Sequence, residues 1–370
     1  MRIALVITEL DPGGAEKCLT QLACYLADQG NDVRVFAIGP PPTAGQDHFI
    51  LQLKAHNVPV AFGIGPGRVR STLSFPGVVR WLSRELRQFQ PEVVQSMLFH
   101  GNLLAALAVD HHRSRLFGGV RVRQPERMRW WLERWATRRM RSVVCVSDDV
   151  AVHCAKQERI PAQKLVVIPN GVDLRAIQQV IETERNFSWT KFGLPEDARV
   201  ILFVGRLHPQ KGIEELVALS DKLLNALPEH HLVLVGNGPL ESRLREMANA
   251  RTHILGWQAN VPAIMHRADV LVLPAGYEGM PNVLLEAMAV RLPFVAFDVD
   301  GVRQLLGDAS TASSQIAPAG DFDKFISLTH QMALDANLRN ACATSNYSRI
   351  ESHFQLKDQL AAYLKLYAAT

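Results

Sequence analysis

Short runs of β-branched and other apolar residues recur along this chain, each followed by a longer stretch with helical spacing. They fall at residues 3–7, 33–38, 93–94, 143–146, 166–168, 200–204, 232–235, 254–255, 270–273 and 294–297. Most are apolar throughout and do not alternate with polar residues. A strand that is apolar on both sides is covered on both faces, which is the condition of a parallel strand. Repeated strand–helix units of this kind predict an α/β fold of doubly wound, Rossmann-like sheets. At 370 residues, 48% of them hydrophobic, the chain exceeds one ordinary core and suits two domains.

The domain boundary is expected after "IPNGVDL", residues 168–174. Asn170-Gly171 is a turn dipeptide, and a polar stretch follows it. This gives a first domain at residues 1–174, a second at 175–349, and a helical segment at 350–370 that can pack on either. The two domains are expected to face each other across a deep cleft.

Several classes are disfavoured. The five cysteines form no CxxC pair, so neither a disulfide framework nor a zinc site is expected, and a reducing cytoplasm fits. "MRIALVITEL" reads as a strand, not as a signal peptide. No uncharged apolar run approaches the roughly 18 residues of a membrane span. The net charge of +4 is uneven: from Arg121 to Arg141 eight arginines stand against two glutamates, so the rest of the chain is slightly acidic.

The loops carry the chemistry. "ILFVGRLHPQKGIEEL" (201–216) ends a buried strand and enters a loop with Gly205 and Gly212 before a helix. Ligands of open parallel sheets bind at the carboxyl ends of strands, and a helix start favours an anion there. Arg206 and Lys211 add two cations, so this loop suits a diphosphate; the alternative is a solvated surface loop. "VGNGPLESRL" (235–244) approaches GxGxxG but has Glu241 at its last position. A dinucleotide site also needs an acid about 20 residues on. NAD is not expected.

"DVLVLPAGYEGMPNVLLEAMAV" (269–290) reads as strand, loop and helix. Pro281 suits the first helical position, which sets Glu286 in the second turn, too deep for a capping box. Its neighbours are apolar on every side, so the helix is expected to be buried. A carboxylate there needs donors, because an unpartnered one is costly. Ribose hydroxyls would supply two; a buried Glu–Arg pair is the alternative. Glu278 precedes the helix, where a carboxylate suits sugar hydroxyls.

In the first half, Gly13 and Gly14 stand between the first strand and a helix, a second anion-friendly start or simply a tight turn. His100, in "VVQSMLFHGNLLAALAV" (93–109), opens an apolar helix. The dipole there favours neutral imidazole, able to hydrogen-bond a sugar or an acceptor. In the basic segment Arg127, Arg134, Arg138 and Arg141 share a helical face beside a stripe of Met128, Trp131, Leu132 and Trp135. Such a helix suits anionic lipid head groups or a phosphate-bearing acceptor. An ordinary amphipathic helix with its tryptophans in the core is the alternative. No nucleic-acid-binding signature accompanies the arginines.

Together these residues resemble glycosyltransferase family 4, nucleotide-sugar transferases with the GT-B fold. The matching motifs are "GGAE" (13–16), "VSDDVA" (146–151), "KLVVIPNGVD" (164–173), "VGRLHPQKG" (204–212), "LVGNGPLE" (234–241), "ADVLVLP" (268–274) and "EGMPNVLLEAMA" (278–289). They span most of the chain and are densest in its second half.

The resemblance implies a retaining transfer of a hexosyl or N-acetylhexosaminyl group. The donor would be UDP- or GDP-linked and bound mainly by the second domain. The acceptor would be a glycan or lipid-linked molecule on the first domain, in cell-surface polysaccharide or glycolipid synthesis. Arg206 and Lys211 would bind the diphosphate, Glu286 the ribose, and Glu278 the sugar near the reacting centre. Backbone N–H groups around Gly279, Met280, Asn282, Val283 and Leu284 would line the donor, and Gly14 would reach its phosphate or the acceptor. His100 looks like the last histidine of an "HSHxxHxN" segment, although Gln95 and Met97 replace two others. Ala275 and Gln304 stand where Ser and Glu are frequent. No metal or further cofactor is expected, since the cations can serve the leaving group. Residues 350–370 would cross back to the first domain. The protein is expected in the cytoplasm, peripheral on the inner membrane face. A nucleotide-sugar epimerase of the same fold and an inactive nucleotide-sugar-binding protein are the alternatives.

Overall fold

The computed structural model describes residues 1–43, 45–65, 75–123 and 127–369, with Arg127 by its backbone alone. It divides into two compact units, one of Met1–Asn170 with Gln359–Thr370, the other of Gly171–Asp358.

The first unit is built on seven strands: β1 Arg2–Ile7, β2 Asp32–Ala37, β3 Val60–Phe62, β4 Val93–Ser96, β5 Arg115–Val120, β6 Ser142–Cys145 and β7 Leu165–Val167. Among the described residues their order is β3-β2-β1-β4-β5-β6-β7, and every pairing is parallel. The central strand has Ile3, Ala4, Leu5, Val6 and Ile7 all without exposed surface. Burial on both faces is what its unbroken apolar run requires. The last helix, Leu356–Ala368, closes this core: Tyr363 and Tyr367 are buried, and Tyr367 packs on Phe117 with ring centroids 5.2 Å apart.

The second unit holds β8 Arg199–Val204, β9 His230–Val235, β10 Thr252–Gly256, β11 Val270–Leu273, β12 Phe294–Phe297 and β13 Ile316–Ala317. The described strands run β10-β9-β8-β11-β12-β13, again all parallel. In each unit the winding reverses once, between β1 and β4 and between β8 and β11. A crevice opens outside the carboxyl ends of the strands at such a point.

Three strands go beyond the sequence reading. β3 and β13 are short edge strands. β5, "RLFGGV", carries two glycines, which usually weaken a strand. Here they are needed for close approach: a Cβ at Gly119 would lie 3.0 Å from Ser96 O, and one at Gly118 would strike the Met140 sulfur. The helix Ala336–His353 runs through residues 349 and 350, and the chain turns only at Phe354 and Gln355, where Val172 bridges Gln355. Among the described residues no helix is long and apolar enough to cross a membrane.

Candidate donor and acceptor sites

In the second unit, the loops after β8 and β11 interlock at the switch point. The chain leaves β8 through Gly205 and Arg206, then forms a single 3₁₀ turn over Pro209–Lys211. His208 caps that turn: its Nδ1 accepts from Gln210 N–H at 3.2 Å. Gly212 follows with φ of 63°, a left-handed conformation, and a Cβ there would strike the Pro274 carbonyl at the end of β11. Both facts demand glycine.

Gln210 fastens the two loops. Its carbonyl accepts from Gly276 N–H at 2.9 Å, and its Nε2 donates to Tyr277 O at 3.0 Å. Lys211 then forms an ion pair with Glu278. A third loop supports the arrangement: Gly301, at φ 78°, packs so closely on Gly279 and Met280 that a Cβ would collide with their backbone.

The charges follow from this geometry. Glu278 is buried, 9% exposed, and the Lys211 ammonium supplies the partner that burial demands. Arg206 is exposed beside them. Burial and the charges of Arg206 and Lys211 hold the His208 imidazole below its usual pKa, so it stays a neutral acceptor and keeps its cap.

Sequence reasoning singled out Glu286 as the buried carboxylate and left Glu278 at a loop. Burial is the reverse. The helix Asn282–Ala289 buries Leu284, Leu285, Ala287, Met288 and Ala289, while Asn282, Val283 and Glu286 form a half-buried edge. Pro281 caps this helix from just outside, with its first turn beginning at Asn282. Gly279 and Met280 are buried in the loop. Leu284 does not join the open edge: its side chain is in the core and its N–H donates to Pro281 O at 3.1 Å. His208 and Gln210 were missed. A histidine before Pro-Gln-Lys was the available signal, since a cap often precedes a proline at the first turn.

The anion-binding helix start expected after β8 is modest, because the helix there, Ile213–Ala218, has only six residues. The cations of the loop carry the charge instead. A groove of ≈ 1040 Å³ elsewhere in this unit, lined by Lys222, Asp323, Ile326, His330 and Leu334 among others, contains none of these groups.

In the first unit, Gly14 and His100 lie beyond β1 and β4, the adjacent strands of its switch point. Gly14 opens the helix Gly14–Asp28 with Gly13 as its cap residue. Glu16, at the third helical position and buried, folds its carboxylate against Gly13 so that a Cβ there would collide with it. That is the place of a capping-box acid. The chain's own carboxylate thus stands where the sequence suggested an external anion. His100 is exposed at the second position of the helix Phe99–Ala108. Gln95 and Met97 are fully buried: Gln95 accepts from the Tyr367 hydroxyl at 3.0 Å and donates to Ser96 O at 2.8 Å. Both positions serve the core.

The basic segment also differs from its sequence reading. The helix spans Arg127–Thr137, so Arg138 and Arg141 lie beyond it, and residues 124–126 are outside the described residues. Arg121 turns inward, donating to Cys18 Sγ at 3.1 Å and to the Asn170 side chain. Met128 and Trp131 are 72% and 67% exposed, whereas the inner face holds Glu133, Ala136 and Thr137. Arg138, Arg139 and Arg141 are exposed, and Arg139 stacks over Trp135 at 4.1 Å.

Known proteins bear on both units. The model for Glycosyltransferase Family 4 matches residues 12–176, and that for Glycosyl transferases group 1 matches residues 198–335. The Escherichia coli UDP-Gal:alpha-D-GlcNAc-diphosphoundecaprenol alpha-1,3-galactosyltransferase is 27% identical over 245 residues, 64% of this chain and 62% of that protein. The phosphatidyl-myo-inositol mannosyltransferase of Mycolicibacterium smegmatis is 29% identical over 334 residues, 84% of this chain and 79% of the relative. Anabaena Alr3699/HepE, solved with UDP and glucose, superposes with a TM-score of 0.84 over 100% of both chains at 18% identity, which establishes the two-domain GT-B fold. With these two family models matching its two halves, the chain is a glycosyltransferase of the family 4 type.

Proposed function

We propose that this protein moves a hexosyl or N-acetylhexosaminyl group, with retention of configuration, from a UDP- or GDP-sugar to a glycan or lipid-linked acceptor. The observation that carries the reading is the interlocked switch-point site, where Arg206, the Lys211–Glu278 pair, His208 and Gln210 converge. A diphosphate would engage Arg206 and Lys211, which then stabilise the charge that grows on the leaving group as the glycosidic bond breaks. Drawing Lys211 to the phosphate frees Glu278 to accept from sugar hydroxyls. The half-buried edge of Asn282, Val283 and Glu286 receives the ribose, with Gly279 and Met280 backing it. Two cations suffice at the leaving group, so no metal is needed, and activity is expected to survive EDTA.

The E. coli relative is named for transfer from UDP-Gal to a diphosphoundecaprenol acceptor, and the mycobacterial one for mannosyl transfer to phosphatidyl-myo-inositol. These names support a lipid-linked acceptor in surface glycan or glycolipid synthesis. The outward Met128 and Trp131, with half-buried Arg129 and Arg134 on the same helix and exposed Arg138, Arg139 and Arg141 just beyond it, support work at an anionic membrane surface facing the cytoplasm.

Thermal-shift measurements against UDP, GDP, ADP and their sugars test the donor. A ligand at 100 times its Kd stabilises by about 2.7 kcal/mol, so one base is expected to stand out. A flat profile across all three bases rejects the donor reading. Proton NMR of the first-formed product tests retention: the anomer must match that of the donor.

A further inference from the structure

A buried polar network underlies His100, and the donor site makes no use of it. Asn102, two residues beyond His100, has no exposed surface. Its side-chain amide fills all four of its hydrogen-bonding positions, two as acceptor and two as donor. Oδ1 accepts from Ser96 Oγ at 2.8 Å and from Gly119 N–H at 3.2 Å. Nδ2 donates to Gly119 O at 3.2 Å and to Glu133 Oε1 at 2.6 Å. Neither aspartate nor a hydroxyl residue could reproduce that set.

Glu133 itself is 2% exposed, and its Oε2 has no hydrogen-bond partner among the described residues. Burying such an oxygen is costly, so Glu133 is a poor choice for stability alone. It lies on the inner face of the helix Arg127–Thr137, whose outer face carries Met128 and Trp131.

The other end of the network is Leu98. This residue caps the His100 helix at φ 68°, a left-handed conformation that a leucine adopts only when its surroundings enforce it. Its N–H donates to Gly119 O at 3.1 Å, and its carbonyl accepts from Asn102 N–H at 2.8 Å. Gly119 is therefore shared: its carbonyl holds both Leu98 and the Asn102 amide, and its N–H returns a bond to Asn102.

We propose that Asn102 and Glu133 are positioning residues which, through Gly119, hold the strained turn at Leu98 and so fix the orientation of His100 toward the acceptor. The proposal rests on the reading that His100 takes part in transfer. Held this way, the imidazole leaves its helix start in one orientation, and the support comes from the helix that bears the exposed tryptophan.

The test uses the full chain with ¹³C-labelled histidine, the His100 resonance being identified by its loss in His100→Asn. Asn102→Ala and Glu133→Ala are expected to move the His100 resonance and its titration midpoint, while the His208 resonance of the other unit stays in place. Glu133→Gln, a neutral isostere that keeps the acceptor for Asn102, is expected to leave His100 as in the wild type. With the nucleotide sugar selected by thermal shift, Asn102→Ala should lower turnover about 10- to 100-fold, the scale of misplacing a catalytic group, with the donor KM unchanged. In the His100→Ala background the same substitution should cost almost nothing further. An unmoved His100 resonance in the folded Asn102→Ala and Glu133→Ala proteins overturns the proposal, as does full additivity with His100→Ala. If His100→Ala alone transfers normally while the resonance still moves, the role of His100 fails but the positioning stands.

Discussion

Lys211 and Glu278 define each other's chemistry. Each is mostly buried, with side-chain exposures of 17% and 11%, and each supplies the counter-charge that the other's burial requires. Glu278→Gln keeps the shape and removes the charge. It is expected to lower turnover by about 10²-fold, the scale of misplacing a reacting group, with far-UV circular dichroism unchanged. A quite different carboxylate, Glu158, is 1% exposed and has only the weakly donating Cys154 thiol to set against its burial. His153 Nε2 stands 3.7 Å away, but burial and the charge of Arg123 hold its pKa down. Burial pushes the Glu158 carboxyl up to about 7 from 4.5. The folded state therefore holds a proton that the unfolded chain releases first, so stability is full below pH 4.5 and is lost as pH rises to about 7. Glu158→Gln has no such proton to lose. Its Tm relative to wild type is expected to climb between pH 5 and 7 and then level off, by about 2–4 °C per kcal/mol. Neither the burial of Glu278 nor the half-buried edge holding Glu286 was legible in the sequence. Composition gives Glu286 apolar neighbours on all sides, yet only three-dimensional packing decides which edge of a short helix stays open. The charges of Arg206 and Lys211 were legible; the neutral links made by His208 and Gln210 were not, because a cap and an amide bridge announce themselves only when two loops meet.

At the scale of elements, the strands were readable wherever a parallel strand is apolar on both faces. β8, β9, β11 and β12 were placed to within two residues. β5 was not, since its glycines obey a close-packing demand from Ser96 and Met140 that no local pattern reveals. The basic helix taught the opposite lesson. Its tryptophan-bearing stripe leaves a lipid-facing and a core reading open in the sequence; in the fold Trp131 is exposed and Glu133 buried, with Glu133 Oε1 accepting from the Asn102 amide. If that outer face meets anionic lipid, Arg134→Glu with Arg138→Glu should weaken cosedimentation with phosphatidylglycerol vesicles at least 10-fold, given about 1 kcal/mol per basic residue at such a surface. Unchanged sedimentation would remove the membrane reading.

For the whole molecule, the same winding is used twice, and each sheet carries its candidate site residues where the strand order reverses. The final helix belongs to the first unit although it follows the second in sequence. Tyr367 ties it in: its hydroxyl donates to buried Gln95, and its carbonyl accepts from Arg115 Nη1 at 3.0 Å. Tyr367→Phe leaves the Gln95 oxygen without that donor and is expected to destabilise the first unit by about 1–3 kcal/mol, measured by urea unfolding. The consequence reaches back to synthesis. Domains generally fold as units while the chain is being made, at about 5–20 residues per second. Here the first unit emerges early but lacks Tyr363 and Tyr367 until the whole of Gly171–Asp358 has been translated, a wait on the order of ten seconds or more. During that interval β4 and β5 lack their aromatic cover, so the nascent first half is the stretch that a ribosome-associated chaperone would have most reason to hold.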